Sequence, residues 1–184
     1  MHLMVTAIRN TVVTLSMVCA LAVATTVPVS AGTVSFDPVE AFAGCDTVTV
    51  DVMIDDDIAD LRGFSFVFEF DPSIVMPVSV EPGSAVEGAS CPNFATWPNE
   101  SAIGDSIWVD GVLLGCSIDG PGSFIRIRFV GVNDGVSAIG CRSGVLRDSE
   151  NQDIAFTCVQ GSIEIDCNTA AESGSWGRVK ALYR

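Results

Sequence analysis

The sequence predicts an all-β fold, an antiparallel β-sandwich of about nine short strands with jelly-roll topology. Two observations support this prediction. Apolar and polar residues alternate in one segment after another, and clusters of Gly, Pro, Asn and Asp separate those segments. No stretch between residues 32 and 167 repeats its apolar residues at the helical period. A chain of 184 residues is long enough for one such domain.

The clearest strand lies within residues 61–83. Phenylalanine occupies every second position here: Phe64, Phe66, Phe68 and Phe70. The residues between them are Ser65, Val67 and Glu69. Because a strand points alternate side chains to opposite faces, the four rings would line one face and the mixed row the other. Asp71-Pro72 then ends the strand, since proline has no N–H for the ladder. The aromatic face is therefore expected to build the core.

The other strands are predicted from the same alternation. They cover residues 33–36, 47–54, 74–80, 106–116, 124–130, 137–147, 153–159 and 161–166. In the strand 124–130, Ile125, Ile127 and Phe129 would face inward and Arg126 and Arg128 outward. Residues 84–105 are expected to form a long loop.

Two aromatic residues of that loop, Phe94 and Trp97, could stack on a sugar or pin the loop to the sandwich. The loop also contains Cys91.

Both chain termini differ in composition from the predicted domain, residues 32–167. Residues 1–31 combine Arg9, an apolar run and the small residues Val29-Ser30-Ala31, the pattern of a cleaved secretory signal. An uncleaved membrane anchor is the alternative. Residues 168–184 read as a linker and an aromatic-basic tail, either a sorting signal or an end that packs on the sandwich. The protein is therefore expected to be secreted, outside the cell or at its surface, with no membrane segment after cleavage.

The charge balance excludes some partners. The chain has 23 acidic and nine basic residues, a net charge of −14. Removal of residues 1–31 takes away Arg9 and the single histidine, His2, which leaves eight basic residues and a net charge of −15. Nucleic acid and anionic membranes are not expected as partners, because phosphate binding requires clustered Lys and Arg.

Six cysteines remain after signal cleavage, and an even number in an exported chain indicates disulfides that reinforce the fold. If Ser149-Glu150 is a two-residue hairpin loop, Cys141 lies opposite Cys158. Cys91 and Cys116 bracket the long loop, which leaves Cys45 for Cys167. A zinc site is the alternative, but there is no C-x-x-C pair and no remaining histidine.

An acidic turn follows the strand 47–54 and contains Asp55, Asp56, Asp57 and Asp60. Carboxylates in a loop can bind Ca²⁺. The turn has no EF-hand spacing and no central glycine, so a solvated turn is the favoured interpretation and no cofactor is expected.

The sequence favours a non-enzymatic protein. Without a histidine, and with Lys180 as its one lysine, the mature chain cannot build a Ser-His-Asp triad or a Cys-His pair. A glycosidase would need two carboxylates across a cleft, and no pair among the acidic residues stands out.

Several motifs together resemble a known family. They are Leu61-x-Gly63-Phe64-x-Phe66, then Phe70-Asp71-Pro72-Ser73-Ile74-Val75, and then Val80-Glu81-Pro82-Gly83. The strand 122–129 (GSFIRIRF) and the closing segments 146–148 and 161–165 add to the pattern. Over residues 33–166 the chain resembles the cohesin modules of bacterial cellulosomal scaffolds. Its six cysteines depart from that family's usual pattern.

The resemblance implies a non-catalytic receptor that binds a dockerin-like protein module through one sheet face. The residues expected on that face are Ser65, Val67, Glu69, Arg126 and Arg128. The two arginines could contact the partner's carboxylates, or could pair with Glu69 and Asp110 across the same face. The alternative functions are a carbohydrate-binding module on extracellular polysaccharide, where Phe94 and Trp97 would contact the sugar, and a structural protein of the cell envelope.

Overall fold

The computed structural model describes residues 31–89, 94–99 and 104–167, and for 94–99 it describes the backbone. Apart from Ala31, the predicted signal peptide lies outside these residues, as does the tail 168–184. The described strands are β1 (Gly32–Asp37), β2 (Glu40–Ala43), β3 (Thr47–Ile54), β4 (Gly63–Glu69), β5 (Val75–Pro82), β6 (Phe94–Asn99), β7 (Ser106–Leu113), β8 (Gly122–Gly131), β9 (Gly135–Arg147), β10 (Asp153–Ile154), β11 (Phe156–Cys158) and β12 (Gly161–Ile165). One short helix, α1 (Ser84–Gly88), follows β5.

The strands form two sheets, which confirms the predicted all-β sandwich. The five-stranded sheet has the order β11-β1-β3-β8-β5. The seven-stranded sheet has the order β2-β12-β9-β4-β7-β6, with β10 paired to β9. Most pairs are antiparallel, but β1 with β11 and β2 with β12 are parallel. None of the described helices is long and apolar enough to cross a membrane.

The core lies between the sheets and is built on the phenylalanines of β4. Phe66 and Phe68 are fully buried, and their rings stack with centroids 5.1 Å apart. From the opposite sheet, Phe124 of β8 packs on Phe66 with ring centroids 5.7 Å apart. The row predicted to face inward on β8 is buried, as are Val48, Val50, Val52 and Ile54 of β3. The alternation in the sequence therefore identified the core residues correctly.

Glycines on both neighbours of β4 make room for these rings. A Cβ atom on Gly111 of β7 would clash with the ring of Phe64, and one on Gly144 of β9 would clash with the ring of Phe66. Strand glycines often mark such close approaches. The large rings of β4 and the missing side chains on β7 and β9 are therefore two parts of one packing arrangement.

The predicted loop 84–105 is wrong in two places. The structure has helix α1 near its start and strand β6 (Phe94–Asn99) at the edge of the seven-stranded sheet. Phe94 and Trp97 are thus strand residues, with Leu113 and Asp110 of β7 as their register partners. The short strand β2 also lay outside every predicted strand, because its sequence EAFA has neither β-branched residues nor clear alternation.

Two disulfides join described cysteines, and both belong to the predicted set. Cys45 and Cys167 have Cα atoms 4.7 Å apart, just beyond the ends of the parallel strands β2 and β12. Cys141 of β9 and Cys158 of β11 have Cα atoms 6.2 Å apart. Cys116 is also disulfide-bonded, whereas Cys91, its predicted partner, lies outside the described residues.

The predicted hairpin that would place Cys141 opposite Cys158 is wrong, although the disulfide itself is present. Arg147 faces Asp153, so five residues, 148–152, connect the two strands instead of the predicted two. After β10 the chain crosses to β11, which pairs with β1 in the other sheet. The Cys141–Cys158 disulfide therefore connects the two sheets of the sandwich rather than two neighbouring strands.

Candidate functional site

The outer face of β9, β4 and β7 contains the predicted row Ser65, Val67 and Glu69, and is named the β4 face. Val67 lies between Trp108 of β7 and Ser143 of β9 in the register. Ser65 lies between Asp110 and Val145 in the same way. Because β4 is in the middle of its sheet, this row has neighbouring strands on both sides and forms the centre of a continuous surface.

Trp108 is the main apolar side chain of the β4 face. It is 50% exposed, and its indole N–H donates hydrogen bonds to Ser65 Oγ (3.2 Å) and Asp110 Oδ1 (3.0 Å). Val145, across β4, is 39% exposed. The hydrogen bonds hold the indole in one orientation while leaving half of its surface accessible. Such an aromatic group loses little conformational entropy when a partner covers it.

One end of the β4 face carries a network of charged residues around Arg142. Its guanidinium contacts Glu69 Oε2 (3.4 Å) and Asp105 Oδ2 (2.7 Å), beside a shallow depression of about 530 Å³. The hydrogen bond from Arg142 holds the pKa of Asp105 below its usual value, and the same bond raises the pKa of Arg142. Both shifts favour the charged forms of Asp105 and Arg142, so this end of the face can recognise polar and charged groups.

The opposite end of the β4 face has a second depression, of about 550 Å³. Its lining includes Arg62, Gly63, Ser65, Val145 and Arg147. The β9–β10 loop, residues 148–152, closes the end of this depression through Asp148, Ser149 and Asn151. The β4 face thus has an apolar centre between two depressions, each of which includes charged side chains in its lining.

The loop beside this second depression is fixed to Asp60. The Asp60 carboxylate accepts hydrogen bonds from the Ser149 hydroxyl and the Ser149 N–H. Hydrogen bonds from the Ser117 and Ser149 hydroxyls hold the pKa of Asp60 below its usual value. Since the folded pKa is below the unfolded value, this stabilisation is present above the unfolded pKa and is lost as pH falls through the folded pKa.

We expect Asp60→Asn to lower the free energy of unfolding at about pH 6. Below about pH 4, the free energy of unfolding of the variant should fall less steeply with pH than that of the wild type. Asn tolerates the left-handed backbone of position 60 (φ 55°), so the variant adds little strain. Urea unfolding at both pH values measures the effect. Ser149→Ala should show part of the same change in stability, because it removes one of the hydrogen bonds to Asp60. An Asp60→Asn variant with the wild-type pH dependence would contradict this account.

Arg126 and Arg128 do not lie on the β4 face, which corrects the prediction of one shared surface. Both are on β8, in the five-stranded sheet. Arg126 Nε bonds Asp51 Oδ1 at 3.0 Å, and Arg128 Nη1 lies 3.7 Å from Glu81 Oε1. The alternative prediction, ion pairs with Glu69 and Asp110, is wrong for the same reason. Alternation placed these arginines outward but could not tell which sheet they join.

The acidic turn does not gather its carboxylates. Asp55 accepts the N–H of Asp57 (3.2 Å), while Asp60 is bonded to Ser149. Burial raises the pKa of Asp55, but hydrogen bonds from Thr33 and Asp57 outweigh that effect and lower it overall. Within the described residues, no three His, Cys, Asp or Glu side chains are grouped to hold a metal ion.

Arg62, Arg142 and Val145 belong to this surface and were missed at the sequence level. The sequence patterns that could have identified these three residues were weak. Arg142 lies at a bulge of β9, between the partners of Val67 and Phe68, and a bulge shifts the alternation. Arg62 precedes β4, and its side chain donates hydrogen bonds to the carbonyls of Leu113 and Ser149. Both residues are far from Arg62 in the sequence, so a local pattern cannot reveal these contacts.

Comparison with known proteins gives a family and a set of solved structures. The family model of the cohesin domain matches residues 32–165. A non-cellulosomal cohesin from the archaeon Archaeoglobus fulgidus superposes with a TM-score of 0.61 at 16% identity, covering 79% of this chain and 99% of that one. A cohesin from a type I cohesin–dockerin complex of Clostridium thermocellum gives 0.61 at 21% identity, with 74% and 100% covered.

A third structure is a cohesin module from a family 33 glycoside hydrolase of Clostridium perfringens. It gives a TM-score of 0.58 at 9% identity, covering 74% of this chain and 96% of that one. No curated protein sequence matches the chain significantly. At these identities the structural likenesses establish the fold, and the family model establishes the membership.

Proposed function

The chain belongs to the cohesin-domain family, and from this premise we propose that it is a secreted, non-catalytic module that binds a dockerin-type protein through the β4 face. Several of the similar cohesins were solved in complex with dockerins. Disulfides at Cys45–Cys167 and Cys141–Cys158 are compatible with an oxidising extracellular environment.

The observation that carries the choice of face is the exposed Trp108 at its centre. Exposed tryptophan surrounded by small or polar residues is typical of interface hot spots. Ser65 and Val67 beside it are small, so a partner surface can reach the indole without a steric barrier. The charged groups at both ends, Arg142 and Arg62, supply a polar rim.

The five-stranded sheet is the alternative binding surface. Its two arginines are already paired with Asp51 and Glu81, so a partner's carboxylates would have to compete with these contacts. Arg126 and Arg128 stay predicted partner residues, but on a surface separate from the β4 face. A charge reversal there therefore serves as a test of which sheet binds.

We expect Trp108→Ala to weaken binding of a dockerin module by about 2 kcal/mol, roughly thirtyfold. Calorimetric titration against a panel of purified dockerin modules measures this. Phe42→Ala is the matched control, because Phe42 is also an exposed aromatic (60%) of the same sheet but lies on the edge strand β2. It should bind like the wild type.

Three outcomes would contradict the proposal. Failure of every dockerin to bind would exclude the partner class. Wild-type affinity of Trp108→Ala would exclude the β4 face. Loss of binding in Arg126→Glu/Arg128→Glu alone would move the interface to the five-stranded sheet.

A further inference from the structure

The depression at the Arg62 end of the β4 face has a specific chemistry. Arg62 and Arg147 both line it, in a chain whose net charge is −14. The described residues contain five arginines and no lysine, so two of the five line this one depression. Positive groups are scarce in this protein, and two of them lie together at this depression.

Arg62 is not neutralised by a direct ion pair. Its Nε donates to the Leu113 carbonyl and its Nη1 to the Ser149 carbonyl, each at 3.3 Å. The other four described arginines each have a carboxylate within 4.0 Å, while Arg62 has none among the described residues. A guanidinium has five N–H groups, so the two carbonyl bonds fix its position and leave donors for a ligand.

Among the described residues, no acidic group around the depression forms an ion pair with Arg62, although the positive charge of Arg62 helps to lower the pKa of Asp60. Asp60 accepts bonds from Ser149, and Asp148 Oδ1 accepts the N–H groups of Glu150 (2.9 Å) and Gln152 (2.7 Å). Asp153 pairs with Arg147 at 3.1 Å. These contacts stabilise the loop and the hairpin, and none of them places a carboxylate on Arg62.

The floor of the depression is Gly63, which has no side chain to fill it. A Cβ atom there would make ordinary contacts, 3.6 Å to Arg147 Cβ and 3.9 Å to the Gly111 carbonyl oxygen. Position 63 does not need a left-handed backbone. A larger residue is therefore sterically acceptable to the fold, and glycine here leaves space above the sheet.

Beside this floor, Ser65 Oγ accepts the indole N–H of Trp108, so its own O–H remains able to donate. The depression therefore combines guanidinium and hydroxyl donors with open space above Gly63.

We propose that this depression is a carboxylate subsite that receives an Asp or Glu side chain of the protein partner, bound by Arg62 and assisted by Ser65 and Arg147. This inference rests on the proposed function and specifies the partner's chemistry. Arg suits a carboxylate because its planar N–H groups can donate to both oxygens. The subsite would fix which end of the partner lies over the β9–β10 loop.

The test uses the chain without residues 1–31 and the capped peptides acetyl-Gly-Asp-Gly-amide and acetyl-Gly-Asn-Gly-amide. We expect the Asp peptide to shift the Arg62 Nε–H resonance in a saturable way at millimolar concentration, and the Asn peptide to leave it unchanged. Arg62→Gln should weaken Asp-peptide binding about tenfold or more. Arg128→Gln, on the other sheet, is the matched control and should bind normally.

Gly63→Val gives a second, independent test, because it adds a branched side chain to the lining of the depression while keeping Arg62. It should abolish the shift and leave the thermal unfolding midpoint close to that of the wild type. Equal, non-saturating shifts of Arg62 and Arg128, or undiminished Asp-peptide binding by folded Gly63→Val, would overturn the subsite. The peptides do not require a dockerin, so this result and the dockerin result can fail separately.

Discussion

Phe66→Ala is expected to lower the free energy of unfolding by about 3–5 kcal/mol. The side chain is fully buried, and its ring contacts the rings of Phe68, Phe124 and Phe156 with centroids 5.1–5.7 Å apart. Removing it leaves a cavity between the two sheets, and Gly144 beside it has no side chain to fill that cavity. A domain has about 5–15 kcal/mol of stability, so much of it would be lost.

Urea unfolding followed by tryptophan fluorescence measures this effect. Phe42→Ala is the matched control, because it makes the same chemical change at a 60% exposed position and should cost less than about 0.5 kcal/mol. If both variants lost the same stability, the β4 rings would not be the centre of the core.

Removal of the Cys45–Cys167 disulfide is expected to cost about 5 kcal/mol, and removal of Cys141–Cys158 about 3 kcal/mol. The first links residues 122 positions apart and the second residues 17 apart. In the chain-entropy description, a longer closed loop restricts the unfolded chain more. Cys45→Ala/Cys167→Ala should therefore be the less stable of the two double variants.

Urea unfolding of both double variants under oxidising conditions makes the comparison. Each variant serves as the control for the other, because each loses two cysteines and one bond. A larger loss on removal of Cys141–Cys158 would mean that its link between the two sheets outweighs the difference in loop length.

The sequence was sufficient where structure depends on local alternation. The phenylalanines of β4 and the inward residues Ile125, Ile127 and Phe129 of β8 are all buried as predicted. Trp108 could be placed outward because its neighbours Ile107 and Val109 are apolar, and both are buried. A period of two residues decides which face of a strand a side chain occupies, and it can be read directly from the chain.

What the sequence could not supply is the pairing of distant strands. The alternation placed Arg128 and Val67 outward, but Arg128 is on β8 of one sheet and Val67 on β4 of the other. The parallel pairs of β2 with β12 and β1 with β11 join segments far apart in the chain. Which strands become neighbours depends on the packing of the whole sandwich, so the shared-face prediction failed there.

The carboxylate subsite shows the same limit at the level of side chains. Arg62, Gly63 and the loop residue Ser149 come together only because β4 pairs with β9, whose hairpin with β10 ends at that loop. No spacing in the sequence connects position 62 with position 149. Tertiary pairing creates this depression, so a motif search could not have found it.

Amide chemical-shift mapping shows directly whether the β4 face binds the partner. A dockerin module that binds would be added to the ¹⁵N-labelled chain without residues 1–31. We expect the largest shifts on Val67, Trp108 and Val145. Largest shifts at Thr49 and Arg128, on the five-stranded sheet, would contradict it.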